Sequence, residues 1–132
     1  MILSINTAMR KFFLLFPILL LLVYLLGEDD DNGGKIKNYD EAKKRYKMAC
    51  DMKEAAACGN LGYLENVHLK NYQEAKKYYK MACDMKDARR CNDLGLLEYK
   101  QFKNYDEAKK YFKMACDMKD ATGCSRLESL GG

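Results

Sequence analysis

The side chains best equipped for covalent chemistry are six cysteines, and they fall in three pairs of equal spacing: Cys50 with Cys58, Cys83 with Cys91, and Cys116 with Cys124. Such residues serve as metal ligands, as reactive thiols or as disulfides. A zinc set needs closely spaced ligands, whereas this chain has no C-x-x-C and a single histidine, His68. Hydrolytic serine chemistry needs an activated hydroxyl, and Ser4, Ser125 and Ser129 stand in no S-x-x-K, with no S-D-N or K-T-G elsewhere. The residues therefore assign no catalytic group, no metal and no cofactor. Six cysteines in a short chain read as a disulfide framework in an oxidising compartment.

The elements that position those cysteines are visible as a repeat. Shifted by 33 residues, Lys37-Asn38-Tyr39 aligns with Lys70-Asn71-Tyr72 and Lys103-Asn104-Tyr105. The same shift superposes the Met-Ala-Cys-Asp-Met-Lys segments that begin at Met48, Met81 and Met114. A period of this length, with apolar residues at helical spacing, marks an α-solenoid in which each unit buries its face against its neighbours. The expected fold is all-α: three helical hairpins in series.

Within a unit, Asn38, Asn71 and Asn104 are the expected N-caps of helix A, with Glu41, Glu74 and Glu107 three residues on as in a capping box. Tyr39, Ala42, Tyr46, Ala49 and Cys50 recur at three- and four-residue steps, as do Tyr72, Ala75, Tyr79, Ala82 and Cys83, so this stripe faces the partner helix. Helix B carries the repeated Leu61, Leu94 and Leu127, while Gly62 and Gly95 permit close approach. The short connection makes the hairpin antiparallel. The first cysteine of a pair lies near the end of helix A and the second near the start of helix B. Six cysteines allow 15 pairings, and identical units should pair identically, which makes the within-unit bridges the simplest choice.

Arg10 and Lys11 precede an apolar run, Phe12 to Leu26, and Glu28 to Asp31 follow it. That charge order sets an N-inside orientation. Fifteen helical residues reach about 22 Å, short of a bilayer core but at the upper end of a signal-peptide apolar region. Export is expected, to the periplasm or beyond, with residues 12–26 retained as an inner-membrane anchor where they are not removed. The layout is then a signal peptide or anchor over 1–27, an acidic and glycine linker over 28–34, and repeats over 35–67, 68–100 and 101–132, the third incomplete.

The segment Lys76-Lys77-Tyr78-Tyr79-Lys80-Met81-Ala82-Cys83-Asp84-Met85, with Cys91-Asn92-Asp93-Leu94-Gly95 and the Cys-x7-Cys spacing, closely resembles Sel1-like repeats of the disulfide-bearing kind typified by the Helicobacter cysteine-rich proteins. The resemblance covers residues 35 to about 130. It implies a tetratricopeptide-like solenoid, export, one disulfide per repeat, and a catalogued β-lactamase or penicillin-binding activity. Three departures stand against it. Glu65-Asn66-Val67-His68-Leu69-Lys70 lacks the usual glycine-rich turn, Arg45 replaces the Tyr78 and Tyr111 of later units as if to cap the first hairpin, and Glu128 replaces the close-packing glycine.

The leading function is a protein-interaction module. Its contact surface is placed on helix A at Tyr78, Met81, Met85, Tyr111, Met114 and Met118, since Tyr and Met suit adaptable contacts; the competing assignment of Tyr78, Tyr111, Met85 and Met118 is inter-repeat core. A formal net charge of +4 with 32% charged residues, well mixed, gives no nucleic-acid footprint. The rows Lys43-Lys44-Lys47, Lys76-Lys77-Lys80 and Lys109-Lys110-Lys113 read as a solvated face, with Asp40 and Asp106 four residues before Lys44 and Lys110. The partner expected is a protein or peptide. The resemblance adds a β-lactam or peptidoglycan-like small molecule, and membrane contact arises only through a retained N-terminal segment.

Overall fold

The computed structural model describes residues 33–132, with side chains from Asn38 onward. The expectations for the leader, and for most of the linker, lie outside the described residues. Contacts divide the chain after Asp40, and the unit Glu41–Gly132 holds the cysteine-bearing hairpins.

Among the described residues six α-helices run in three pairs. They are α1 (Gly33–Asp51), α2 (Ala55–Tyr63), α3 (Tyr72–Asp84), α4 (Ala88–Leu97), α5 (Tyr105–Asp117) and α6 (Ala121–Ser129). The all-α hairpin architecture is as the 33-residue period requires. Two further turns, Leu64–His68 after α2 and Glu98–Phe102 after α4, wind more widely as π-helix.

Each A-to-B connection uses one local solution three times. Lys53, Lys86 and Lys119 take the left-handed conformation at φ 66°, 70° and 71°. The backbone N–H of Lys53 bonds Cys50 O at 2.9 Å, and that of Glu54 bonds Ala49 O at 3.1 Å. Those two bonds make a Schellman ending, which satisfies carbonyls that the last helical turn leaves open. The same pair recurs from Lys86 and Asp87 and from Lys119 and Asp120. Helix B then starts immediately: the Asp87 and Asp120 carboxylates accept from the N–H groups of Arg90 and Gly123.

This closed end brings the two cysteines of each unit together, at Cα separations of 4.6, 4.6 and 4.5 Å. Cys50–Cys58, Cys83–Cys91 and Cys116–Cys124 are all disulfides, as the simplest pairing had it.

The B-to-A connections, where the sequence offers no glycine, work differently. The helix widens, so that Leu69 N–H reaches back five residues to Leu64 O and Asn71 N–H reaches Glu65 O at 2.8 Å. Lys70 and Lys103 turn the chain at φ 57° and 55°. Asn71 and Asn104 then precede α3 and α5, but only Asn104 caps with its side chain, its Oδ1 accepting from Glu107 N–H at 3.5 Å; the Asn71 amide turns to Glu65 instead, and the backbone N–H of each asparagine bonds a preceding glutamate carbonyl rather than the side chain of Glu74 or Glu107. Asn38 departs from that pattern. It lies inside α1, which begins at Gly33, so a capping asparagine does not by itself stop a helix that can continue upstream.

Helix B of one unit packs against its own helix A and against the next helix A. Cys83, Cys91, Leu94 and Leu97 cluster with Ala75, Tyr79, Tyr111 and Ala115, so each hairpin is completed by its neighbour. Arg45 is exposed where Tyr78 and Tyr111 are buried, consistent with a first unit modified at its outer face. Gly62 and Gly95 are the floor on which the next helix A sets an aromatic ring. A Cβ at Gly95 would lie 2.7 Å from the buried Phe112 ring and 3.1 Å from Ala108 O. Gly95→Ala is therefore expected to lower stability by about 1–3 kcal/mol through overpacking; an unchanged denaturant midpoint would show that the ring does not depend on this gap.

Candidate functional site

The six residues placed on a helix A contact surface divide into two sets. Tyr78 and Tyr111 are core side chains, buried to 6% and 5% exposure. Met81, Met85, Met114 and Met118 are half-buried, and Met114 and Met118 pack against the core cluster. In the first unit the equivalent Met48 and Met52 are exposed, at 68% and 74%.

The lysine rows are largely neutralised, through pairs other than those the spacing first offers. Lys47, Lys80 and Lys113 bond Asp51, Asp84 and Asp117 four residues later, at 3.0, 2.8 and 2.9 Å. These hydrogen bonds raise the Lys47 and Lys80 ammonium groups above their ordinary pKa.

Lys43 and Lys76 do something the sequence reading missed. Their ammonium groups reach Glu65 Oε1 at 2.6 Å and Glu98 Oε1 at 2.5 Å, and both glutamates are fully buried. The hydrogen bond to Glu65 raises the Lys43 pKa against the opposing effect of desolvation. Glu65 Oε2 also accepts from Asn71 Nδ2 at 2.9 Å, and the Glu98 carbonyl accepts from Asn104 N–H at 2.9 Å, so each glutamate ties its own hairpin to the next. The signal was available: Glu65 and Glu98 are 33 residues apart, as are Lys43 and Lys76. In the third unit Gly131 takes the glutamate position, and Lys109 donates instead to its carbonyl at 3.5 Å.

Helix B carries a second polar ladder. Arg90 donates to Asn60 Oδ1 at 2.8 Å across the first two units and to Asp93 at 2.9 Å. Arg126 donates to Asn92 Oδ1 at 2.7 Å across the second and third, with its guanidinium over the Phe112 ring. Asp93 is largely buried, which pushes its carboxyl above the usual range although Arg90 opposes the shift.

Above this ladder lie two adjoining clefts that are copies of one another. The first, about 240 Å³, is walled by Tyr63, Val67, Leu96 and Lys100 over Tyr79 and Asp93. The second, about 350 Å³, is walled by Leu96, Tyr99, Lys100 and Leu130 over Phe112 and Arg126. The 33-residue shift maps Tyr63 to Leu96, Val67 to Lys100, Tyr79 to Phe112, Asp93 to Arg126 and Leu97 to Leu130. The floors differ in polarity. In the first, burial raises the Tyr79 phenol, whose hydrogen bond with Asn66 acts in the opposite sense; in the second an apolar ring lies beside a guanidinium. Tyr63, Val67 and Tyr99 are exposed apolar side chains at the cleft mouths.

Ser129 donates its hydroxyl to Arg126 O, and His68 stacks edge-on against Tyr63. Among the described residues no group of three His, Cys, Asp or Glu side chains is placed to hold a metal ion, and no helix is long and apolar enough to cross a membrane. Three disulfides indicate an oxidising, extracytoplasmic setting. No protein-family model matches the chain, and no curated protein matches it. What the residues and their geometry establish is a disulfide-rich, helical, repeat-built domain.

Proposed function

We propose that this chain is an exported Sel1-like repeat module whose work is to hold a partner protein. The observation that carries the reading is the pair of adjoining, repeat-related clefts, with Tyr63 and Tyr99 exposed beside them. Solenoids present continuous surfaces because each repeat adds one more copy of the same groove. Tyrosine at such a mouth offers a large contact area at low entropic cost. Disulfides keep the walls in place, which lowers the ordering penalty of binding.

The test is site-specific photocrosslinking with the oxidised full-length chain expressed in its own exported setting. A photoreactive residue at Tyr63 or Tyr99 is expected to give a discrete heterologous adduct, while one at exposed Lys44 gives none. A crosslinker at Met81 reports on the helix A face. An adduct from Met81 but not from Tyr63 or Tyr99 would move the surface to helix A, and no adduct from any site would overturn the reading.

A further inference from the structure

Resting on that reading, we infer that the second cleft takes an acidic peptide segment of the partner, one in which a carboxylate side chain adjoins a large apolar one. The second cleft departs from the first at equivalent positions. Asp93 becomes Arg126, the polar Tyr79 becomes Phe112, and Val67 becomes Lys100. The first two changes favour an anion next to an apolar group, and Lys100, which lines both clefts, adds positive charge to each.

The Arg126 guanidinium is already oriented. One nitrogen donates to Asn92 Oδ1 at 2.7 Å and Cζ lies 5.9 Å from the centre of the Phe112 ring, so a carboxylate meets a fixed donor with little side-chain ordering left to do. Lys100 stands exposed in the same lining, and among the described residues no acidic side chain lines this cleft. Leu96, Tyr99, Phe112 and Leu130 supply the apolar part, and about 350 Å³ suits one large side chain with its flanking backbone. The neighbouring cleft shares Lys100 but carries Asp93, paired with Arg90, where this one has Arg126, and is the less favourable place for a carboxylate. The clefts therefore give a bound peptide a direction, acid over Arg126 and away from Asp93. Adjacent helices are spaced about 9 Å, so an extended peptide crosses from one cleft to the next in about three residues.

The test uses the oxidised full-length chain in detergent and 12-residue fluorescent peptides, acetylated and amidated, with a single Glu-Phe pair in a Gly/Ser background. Saturable binding is expected, weakening about tenfold when Glu-Phe is replaced by Gln-Phe or by Glu-Gly. Lys100→Glu, at an exposed position, should weaken Glu-Phe binding by a similar factor and leave Gln-Phe unaffected. Arg126→Gln retains an amide donor for Asn92 but gives up the stack on Phe112, and is expected to weaken Glu-Phe binding about tenfold at a temperature where the melting curve shows the variant folded. Equal affinity for Glu-Phe and Gln-Phe, or indifference to both variants, would overturn the inference. If the crosslinks at Tyr63 and Tyr99 persist while every peptide fails, the binding module stands and the acidic-peptide specificity falls.

Discussion

Reduction of the oxidised protein is expected to lower its melting temperature by well over 10 °C. Each bridge closes a loop with a sequence separation of eight, for which the chain-entropy relation gives roughly 2.5 kcal/mol. A domain of this size is stable by about 5–15 kcal/mol in total, so three such contributions rival the net value. A loss of 1 kcal/mol shifts the midpoint by about 4–8 °C in a domain of 60–100 residues. The full sum is an upper bound for a specific reason. The Schellman endings at Lys53, Lys86 and Lys119 already favour the closed hairpin, so the unfolded chain has less loop entropy to lose.

The bridges should also differ among themselves. Cys50, Cys58, Cys83 and Cys91 are fully buried, whereas Cys116 and Cys124 are partly exposed. Thiol–disulfide exchange requires access of a thiolate to sulfur. Under limiting reductant, mass mapping with an alkylating agent should find Cys116 and Cys124 labelled first. Replacing Cys83 and Cys91 together by Ala should cost more than the same change at Cys116 and Cys124, because the middle bridge lies in the shared core. A reduced protein melting within about 2 °C of the oxidised one would refute the stapling argument.

The disulfides and hairpins were legible in the sequence because they depend on period, and the 33-residue shift displays it directly. The packing glycines were legible for the same reason. What escaped were features in which polarity opposes burial. Glu65 and Glu98 sit in stretches rich in polar residues, and an acidic side chain in such a stretch ordinarily means solvent. Their partners lie 22 residues upstream, beyond the reach of i, i+4 reasoning, and only the joint recurrence of Lys43 with Glu65 and Lys76 with Glu98 encodes the pair. For Tyr78 and Tyr111 the sequence left two places open, a contact surface or the inter-repeat core, and both rings are buried. The clefts needed the B helices to be placed side by side, and periodicity along one chain does not specify that spacing.

Lys76→Met is expected to destabilise the domain at neutral pH by about 2–3 kcal/mol, the larger of the single-residue effects that this architecture predicts. Breaking a buried ion pair by removing one partner costs about 3–5 kcal/mol, and the figure is reduced here because the lysine side chain remains 37% exposed. Glu98 would be left fully buried without its ammonium, and its Oε2 has no hydrogen-bond partner among the described residues. The lysine stem also lies against Phe102, with Nζ 5.0 Å from the ring centre, and methionine keeps that apolar contact. The loss should therefore reflect charge.

A second variant distinguishes charge from packing. The double variant Lys76→Met with Glu98→Leu removes both charges and should regain most of the loss, since a well-packed apolar pair commonly replaces a buried ion pair without penalty. Glu98 immediately precedes Tyr99 and Lys100, which wall the second cleft, and its carbonyl anchors the start of α5 through Asn104. The double variant should accordingly be stable and keep the peptide affinity of the native chain, while Lys76→Met alone should lose stability; melting curves that coincide for the three proteins would remove the buried glutamates from any part in holding the repeats together.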